Sequence, residues 1–253
     1  MGILIYNISS NKEKSEILIE TLCHIGARHS AEQTENQDVL CSGETDRYTV
    51  ISLADGVSTC KEARAGAEIA SRAVTELLLK KGHYFLEFDH EQIARGIISH
   101  ILYELNRRAQ TDSQDVREYS STIASVLYDK KACRLLFFSL GDSLIAATDN
   151  GKFRIIAMPA DSTDGCCVTT TKHAPLLAQA NKIDTDTLDA VMICSDGAWK
   201  QMYLKNRLKP EVSEMLADRR MDALREYLVR QNGPDDYSFI FTDLHKRRMR
   251  ALA

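Results

Sequence analysis

Four acidic residues stand at the ends of apolar runs, and their setting is the first sign of chemistry in this sequence. Asp55 closes Ile51-Ser52-Leu53-Ala54-Asp55-Gly56, and Asp196 closes Val191-Met192-Ile193-Cys194-Ser195-Asp196-Gly197. Asp38 opens Asp38-Val39-Leu40, and Asp235 precedes Tyr237-Ser238-Phe239-Ile240-Phe241. A carboxylate at a strand end can point into a cleft, and a glycine beside it lets the backbone carbonyl approach a ligand. For any one of these residues a turn or helix-cap role is the simpler reading. Taken together, with few His or thiolate partners, they form a hard-oxygen donor set. Such a set suits Mg or Mn, and two such ions suit phosphoryl chemistry.

The elements that must position these groups can be read from periodicity and turn residues. Strands are expected at 3–8 and 17–25, with the polar turn Ser9-Ser10-Asn11-Lys12 between them, and residues 28–36 read as a polar loop. A hairpin follows, with strands near 38–41 and 48–54 around Gly43-Glu44-Thr45-Asp46. Helical stripes run through Ala63, Ala67, Ala70, Val74 and Leu77, and through Ile93, Ile97, Ile101 and Leu105. Short strands at 121–128, 135–140, 144–148 and 153–157 are separated by turn residues, as in an antiparallel sheet. The stretch 161–189 reads as irregular, with Thr169-Thr170-Thr171 as a candidate strand. A strand at 191–195, helices near 196–202, 210–218 and 221–231, and a last strand at 238–242 complete the chain. This order fits helices layered on antiparallel sheets, in a single domain spanning 1–253.

Composition narrows the classes. The 253 residues carry a net charge of -4, with 44% hydrophobic and 27% charged residues. Those values fit a globular protein and lack the basic footprint of a nucleic-acid binder. The seven cysteines are scattered without a CxxC pair, so a zinc site is not expected and a reduced, cytoplasmic setting is. No apolar run approaches membrane-spanning length, and Gly2-Ile3-Leu4-Ile5-Tyr6 is too short for a signal segment. Lys246 to Arg250 reads as a solvated basic end.

The order of motifs resembles the metal-dependent protein phosphatases of type 2C, in the style of compact bacterial members. The resemblance covers roughly residues 20 to 244. It rests on Asn36-Gln37-Asp38, Leu53-Ala54-Asp55-Gly56, Ser120-Ser121-Thr122, Leu140-Gly141-Asp142-Ser143, Cys194-Ser195-Asp196-Gly197-Ala198-Trp199 and Asp235-Asp236-Tyr237-Ser238. It implies an α+β fold, a four-layer α-β-β-α sandwich with two central antiparallel β-sheets. It also implies two Mn or Mg ions, with Asp55 bridging both, the Gly56 carbonyl on one, and Asp38, Asp196 and Asp235 completing the shell. A weak third ion would fall to Asp142. The implied reaction is hydrolysis of phosphoserine or phosphothreonine in a protein, by a metal-activated water and without a protein nucleophile. The implied partners are a phosphorylated protein and an opposing kinase, and a monomer is expected.

The departures from the pattern are specific. Gln33 stands where the family usually has a phosphate-gripping Arg, and Arg28 is the nearest substitute. Val57 and Ser58 follow Asp-Gly where relatives carry Gly or His, which leaves His29 or His173 to stand in as a proton donor. Lys200 replaces an acidic residue after the Ser-Asp-Gly-x-Trp segment, so a third ion would lose a ligand. The connection from 142 to 196 is short for the family's substrate-choosing flap. Two other readings remain open at this stage: a catalytically weak regulatory binder, and a phosphohydrolase of small phosphoesters.

Overall fold

A computed structural model describes residues 5–9, 18–149, 152–160, 167–185, 187–204 and 207–244. The turn expected at 9–12 and the basic end at 246–250 lie largely or wholly outside these residues.

Thirteen strands and seven α-helices are present among them. In chain order the strands are β1 (Ile5–Ser9), β2 (Ile19–His24), β3 (Asp38–Glu44), β4 (Tyr48–Asp55), β5 (Ile123–Asp129), β6 (Arg134–Leu140) and β7 (Leu144–Asp149). They continue with β8 (Lys152–Ala157), β9 (Gln179–Asp184), β10 (Leu188–Cys194), β11 (Tyr203–Leu204), β12 (Arg207–Leu208) and β13 (Tyr237–Asp243). The helices are α1 (Ala27–Glu32), α2 (Ala63–Phe85), α3 (His90–Asp112), α4 (Ala174–Leu177), α5 (Asp196–Met202), α6 (Pro210–Ala217) and α7 (Met221–Gln231).

One sheet has the order β1-β3-β4-β5-β6-β9 and the other β2-β13-β10-β7-β8, with β11 and β12 forming a small ribbon. Leu40, Ile51, Leu53 and Val126 of the first sheet meet Ile145, Val191, Ile193 and Ile240 of the second in one apolar layer. Alternation along the strands turns the opposite side chains outward. There Val39, Val50 and Leu127 pack under α2 and α3, while Met192, Phe239 and Phe241 pack under α5, α6 and α7. The result is the expected four-layer α-β-β-α sandwich.

Local chemistry explains the long helices. Asp89 begins α3 with a capping box: Gln92 N–H donates to its carboxylate at 2.8 Å, and Asp89 N–H donates to Gln92 Oε1 at 3.0 Å. The small residues of α2, among them Ala63, Ala67 and Ala70, are buried and let that helix lie close to the sheet. Where α2 covers the sheet, Ser52 Oγ pairs with Thr75 Oγ1 and Ser125 Oγ, each at 2.8 Å, so these buried hydroxyls satisfy one another.

Four sequence expectations change. The segment 28–36 is not all loop, because α1 occupies Ala27–Glu32. Its periodicity is hidden, since His29 is its only buried residue and its first N–H groups donate to Gly233 and Pro234 carbonyls far along the chain. Thr169-Thr170-Thr171 forms a turn, not a strand. Val168 N–H donates to Thr171 Oγ1 and Thr171 N–H donates back to Val168 O, both at 2.9 Å. The strand in the 161–189 stretch is instead β9, an edge strand paired with β6. Finally, the sheets are not wholly antiparallel: β1 runs parallel to β3, with Ile5 opposite Leu40. The chain can do this because it crosses into the other sheet as β2 before returning.

Candidate active site

The β3–β4 hairpin places two of the four acids face to face. Asp38 is the first residue of β3, Asp55 the last of β4, and they are register partners. Asp55 is fixed by Thr122, whose Oγ1 accepts from Asp55 N–H at 3.1 Å and whose N–H donates to Asp55 O at 2.8 Å. Asp38 is 1% exposed, and neither of its carboxylate oxygens has a hydrogen-bond partner. Burial pushes its carboxyl well above the usual range, and Asp236 and Asp196 add to the rise. The Ser238 and Ser195 hydroxyls stand near enough to offset this in part, without closing a hydrogen bond to either oxygen. Asp55 is raised in the same sense, first by burial and then by Asp38, Asp196 and Asp142. Among the described residues neither acid has a basic partner.

The second pair is assembled by the turn before β13. Asp236, beside Asp235, is buried and accepts from Gly26 N–H at 2.7 Å, Gln37 N–H at 2.8 Å and His29 Nδ1 at 2.9 Å. One carboxylate thus ties the start of α1, the approach to β3 and the approach to β13 into one unit. Close backbone packing completes it. A Cβ on Gly26 would lie 2.3 Å from the Asp235 carbonyl, and one on Gly197 would lie 2.1 Å from Asp236 O. Ser195 Oγ accepts from Ser238 N–H at 2.9 Å, which holds the start of α5 to β13. Asp196, the first residue of α5, is thereby brought to the same end of the sandwich as Asp235. Trp199 Nε1 donates to Asp142 O at 2.8 Å and pins the turn after β6 to the same helix.

These elements enclose a cleft of about 190 Å³ lined by Arg28, Asp55, Gly56, Thr122, Asp142, Asp196 and Asp235, with His29 and Asp236 at its wall. The outer acids differ from the inner ones in having cations. Lys200 Nζ lies 2.6 Å from Asp196 Oδ2, and Arg28 Nη2 lies 3.3 Å from Asp235 Oδ1. Among the described residues no three His, Cys, Asp or Glu side chains converge on one point as a ready-made ion cage. A small hard cation does not need one, because Mg commonly keeps several waters and takes one or two carboxylates. The orphaned oxygens of buried Asp38 and the all-oxygen donor set fit such an ion.

The protein-family profile described as Protein phosphatase 2C matches residues 25–231. The chain belongs to the protein phosphatase 2C family. Its sandwich is shared with solved structures of low sequence identity. Stp1, a serine/threonine phosphatase from Staphylococcus aureus, is 13% identical with a TM-score of 0.66, covering 94% of this chain and 96% of that one. The S. agalactiae serine/threonine phosphatase is 17% identical with a TM-score of 0.64, covering 89% and 98%. RsbX in complex with magnesium is 11% identical with a TM-score of 0.51, covering 92% and 97%. No curated protein matches the sequence.

Within this 2C-family chain, Asp55, Gly56, Asp142, Asp196, Asp235 and Arg28 all border one cleft, whereas Asp38, the register partner of Asp55, is buried outside its lining. Gln33 lies outside the cleft lining, as the exposed left-handed cap of α1 with φ 57°. His173 is exposed and outside the lining too, whereas the ring of His29 is committed to Asp236 through Nδ1. In the sequence Asp236 is only one member of the Asp235-Asp236-Tyr237-Ser238 motif. The three-way clamp was hidden, because its donors lie 199 to 210 positions away.

Proposed function

We propose that the protein is a metal-dependent serine/threonine phosphoprotein phosphatase. The observation that carries this reading is the pair Asp38–Asp55. Two acids face each other at strand ends, one with both oxygens buried and unpartnered, behind a cleft with a guanidinium on its rim. Asp38, Asp55, Asp196, Asp235 and the Gly56 carbonyl would hold two Mn or Mg ions. Divalent cations in such a site lower the pKa of water and neutralise charge on a phosphoryl group.

The chain's own residues supply the rest. Thr122 and the Asp236 clamp fix the acids before any substrate arrives. Arg28 is 46% exposed and holds Asp235 only through a solvated ion pair, a weak interaction. Its guanidinium is free to turn to phosphate oxygens, for which its planar fork is suited. The cleft is small: at roughly 30 Å³ per water it accommodates a phosphoryl group and a few waters. The remainder of the substrate would lie outside the cleft, as the chain of a phosphoprotein opposed to a kinase would.

The test is hydrolysis of a phosphothreonine peptide and of para-nitrophenyl phosphate, with Mn, Mg or chelator, by wild type and Asp196→Asn. Metal-dependent turnover of the peptide, lost in the variant, is expected. Turnover of the small ester alone would replace the protein-phosphatase reading with a small-phosphoester hydrolase. Mn binding without turnover of either would leave a regulatory binder, the reading that the Lys200–Asp196 ion pair favours.

A further inference from the structure

Lys200 does not line the cleft, but it is bonded to an acid that does, and the proposed activity does not use it. It lies four residues after Asp196 on α5, one helical turn along the same face. Its ammonium hydrogen-bonds Asp196 Oδ2 at 2.6 Å, on an acid that borders the cleft. Its charge also reaches Asp142 and Asp235, the two other outer acids. Trp199, the adjacent residue, bonds the Asp142 carbonyl, so the helix turn carrying Lys200 is fixed against the turn carrying Asp142. The inner acids, Asp38 and Asp55, have no comparable cation among the described residues.

We infer that Lys200 is a tethered cation that occupies the place of a divalent ion on the outer, Asp142–Asp196 side of the cleft. The inference rests on the metal-dependent reading above and says how many ions that site holds. An ammonium carries a single charge on a flexible stem and takes an oxygen that an ion would otherwise coordinate. Exchanging Lys200 for Asp changes the local charge by two units, the charge of one divalent ion, and adds an oxygen ligand beside Asp142. The Asp142–Asp196 side is thus closed to a further ion by the chain itself, and the two ions of the proposed site are left to Asp38, Asp55, Asp235, the Gly56 carbonyl and the Asp196 oxygen that Lys200 does not take.

The experiment counts Mn per chain by calorimetry and by electron paramagnetic resonance, on the full chain at one pH. It compares wild type, Lys200→Asp, Lys200→Met and Lys80→Asp. Lys80 lies on α2 and is exposed, so its exchange alters net charge equally but away from the cleft. Lys200→Asp is expected to bind one more Mn than wild type. Lys200→Met, which frees Asp196 with little demand on folding, is expected to bind its weakest ion severalfold more tightly. Lys80→Asp should match wild type. Unchanged number and affinity in both Lys200 variants would overturn the inference, as would an equal change in Lys80→Asp, while leaving the metal-dependent reading intact. A wild type that binds no Mn would overturn both.

Discussion

Asp38 and Asp129 sit at opposite ends of the same sheet, and both are almost fully buried, at 1% and 0% exposure. Asp129 is satisfied. The Arg47 Nε and Nη2 groups donate to its Oδ2 at 3.0 and 2.8 Å, and Lys131 and Ala132 N–H groups donate to Oδ1 at 3.0 and 3.1 Å. Burial raises this carboxyl, but the Arg47 bond and the two amides outweigh it and hold it below the usual range. Asp38 has no such partners, and burial with neighbouring acids drives it upward. The fold can neutralise a buried carboxylate when structure alone is at stake. At the cleft end it leaves one without a partner, which is the observation that supports the cation site proposed there.

The largest expected effect tests the cleft end. Asp55→Asn should cost more than the roughly 10–100-fold typical of a supporting residue at a metal site, with the circular dichroism spectrum retained. Turnover near wild type would remove Asp55 from the site. Next, the two buried acids should respond in opposite directions in metal-free protein. Asp38→Asn should raise stability, and Asp129→Asn should lower it, each by about 1–3 kcal/mol in urea unfolding. Stability changes of the same sign would break the contrast.

Acid should separate them further. A carboxyl with a raised folded pKa costs stability when ionised, and the cost is relieved as pH falls toward the unfolded value near 3.9. The gap between wild type and Asp38→Asn should therefore narrow from about pH 7 to about pH 4. Asp129 has a depressed folded pKa, so its contribution is present above about 3.9 and is lost only as pH falls through the lower folded value. Its gap should hold over the same range. The smallest effect belongs to the rim: Arg28→Ala should raise KM for a phosphopeptide by about tenfold, the worth of one charge-assisted hydrogen bond. Unchanged kinetics would take Arg28 out of phosphate binding.

The sequence made the hairpin and its acids legible because local signals agree there. Alternating apolar runs, an intervening turn and terminal Asp residues all point to strands ending at a common edge. The long helices α2 and α3 were legible for the same reason. Helix α1 was not, because it has one inward side chain and is held by carbonyls from the far end of the chain. Strand β9 was hidden in Gln179-Ala180-Asn181-Lys182-Ile183-Asp184, whose weak alternation suits a half-buried edge. The Asp236 clamp depends on tertiary contacts alone and leaves no local trace. Lys200 was visible as a missing acid, but its pairing with Asp196 follows only once α5 is known to begin at Asp196.

The most direct test of the unneutralised acids is a crystal structure grown with Mn, with anomalous scattering recorded at the Mn edge. An anomalous peak coordinated by Asp55, next to its register partner Asp38, is the expected result. A well-ordered cleft without a peak, at Mn concentrations that support turnover, would contradict it.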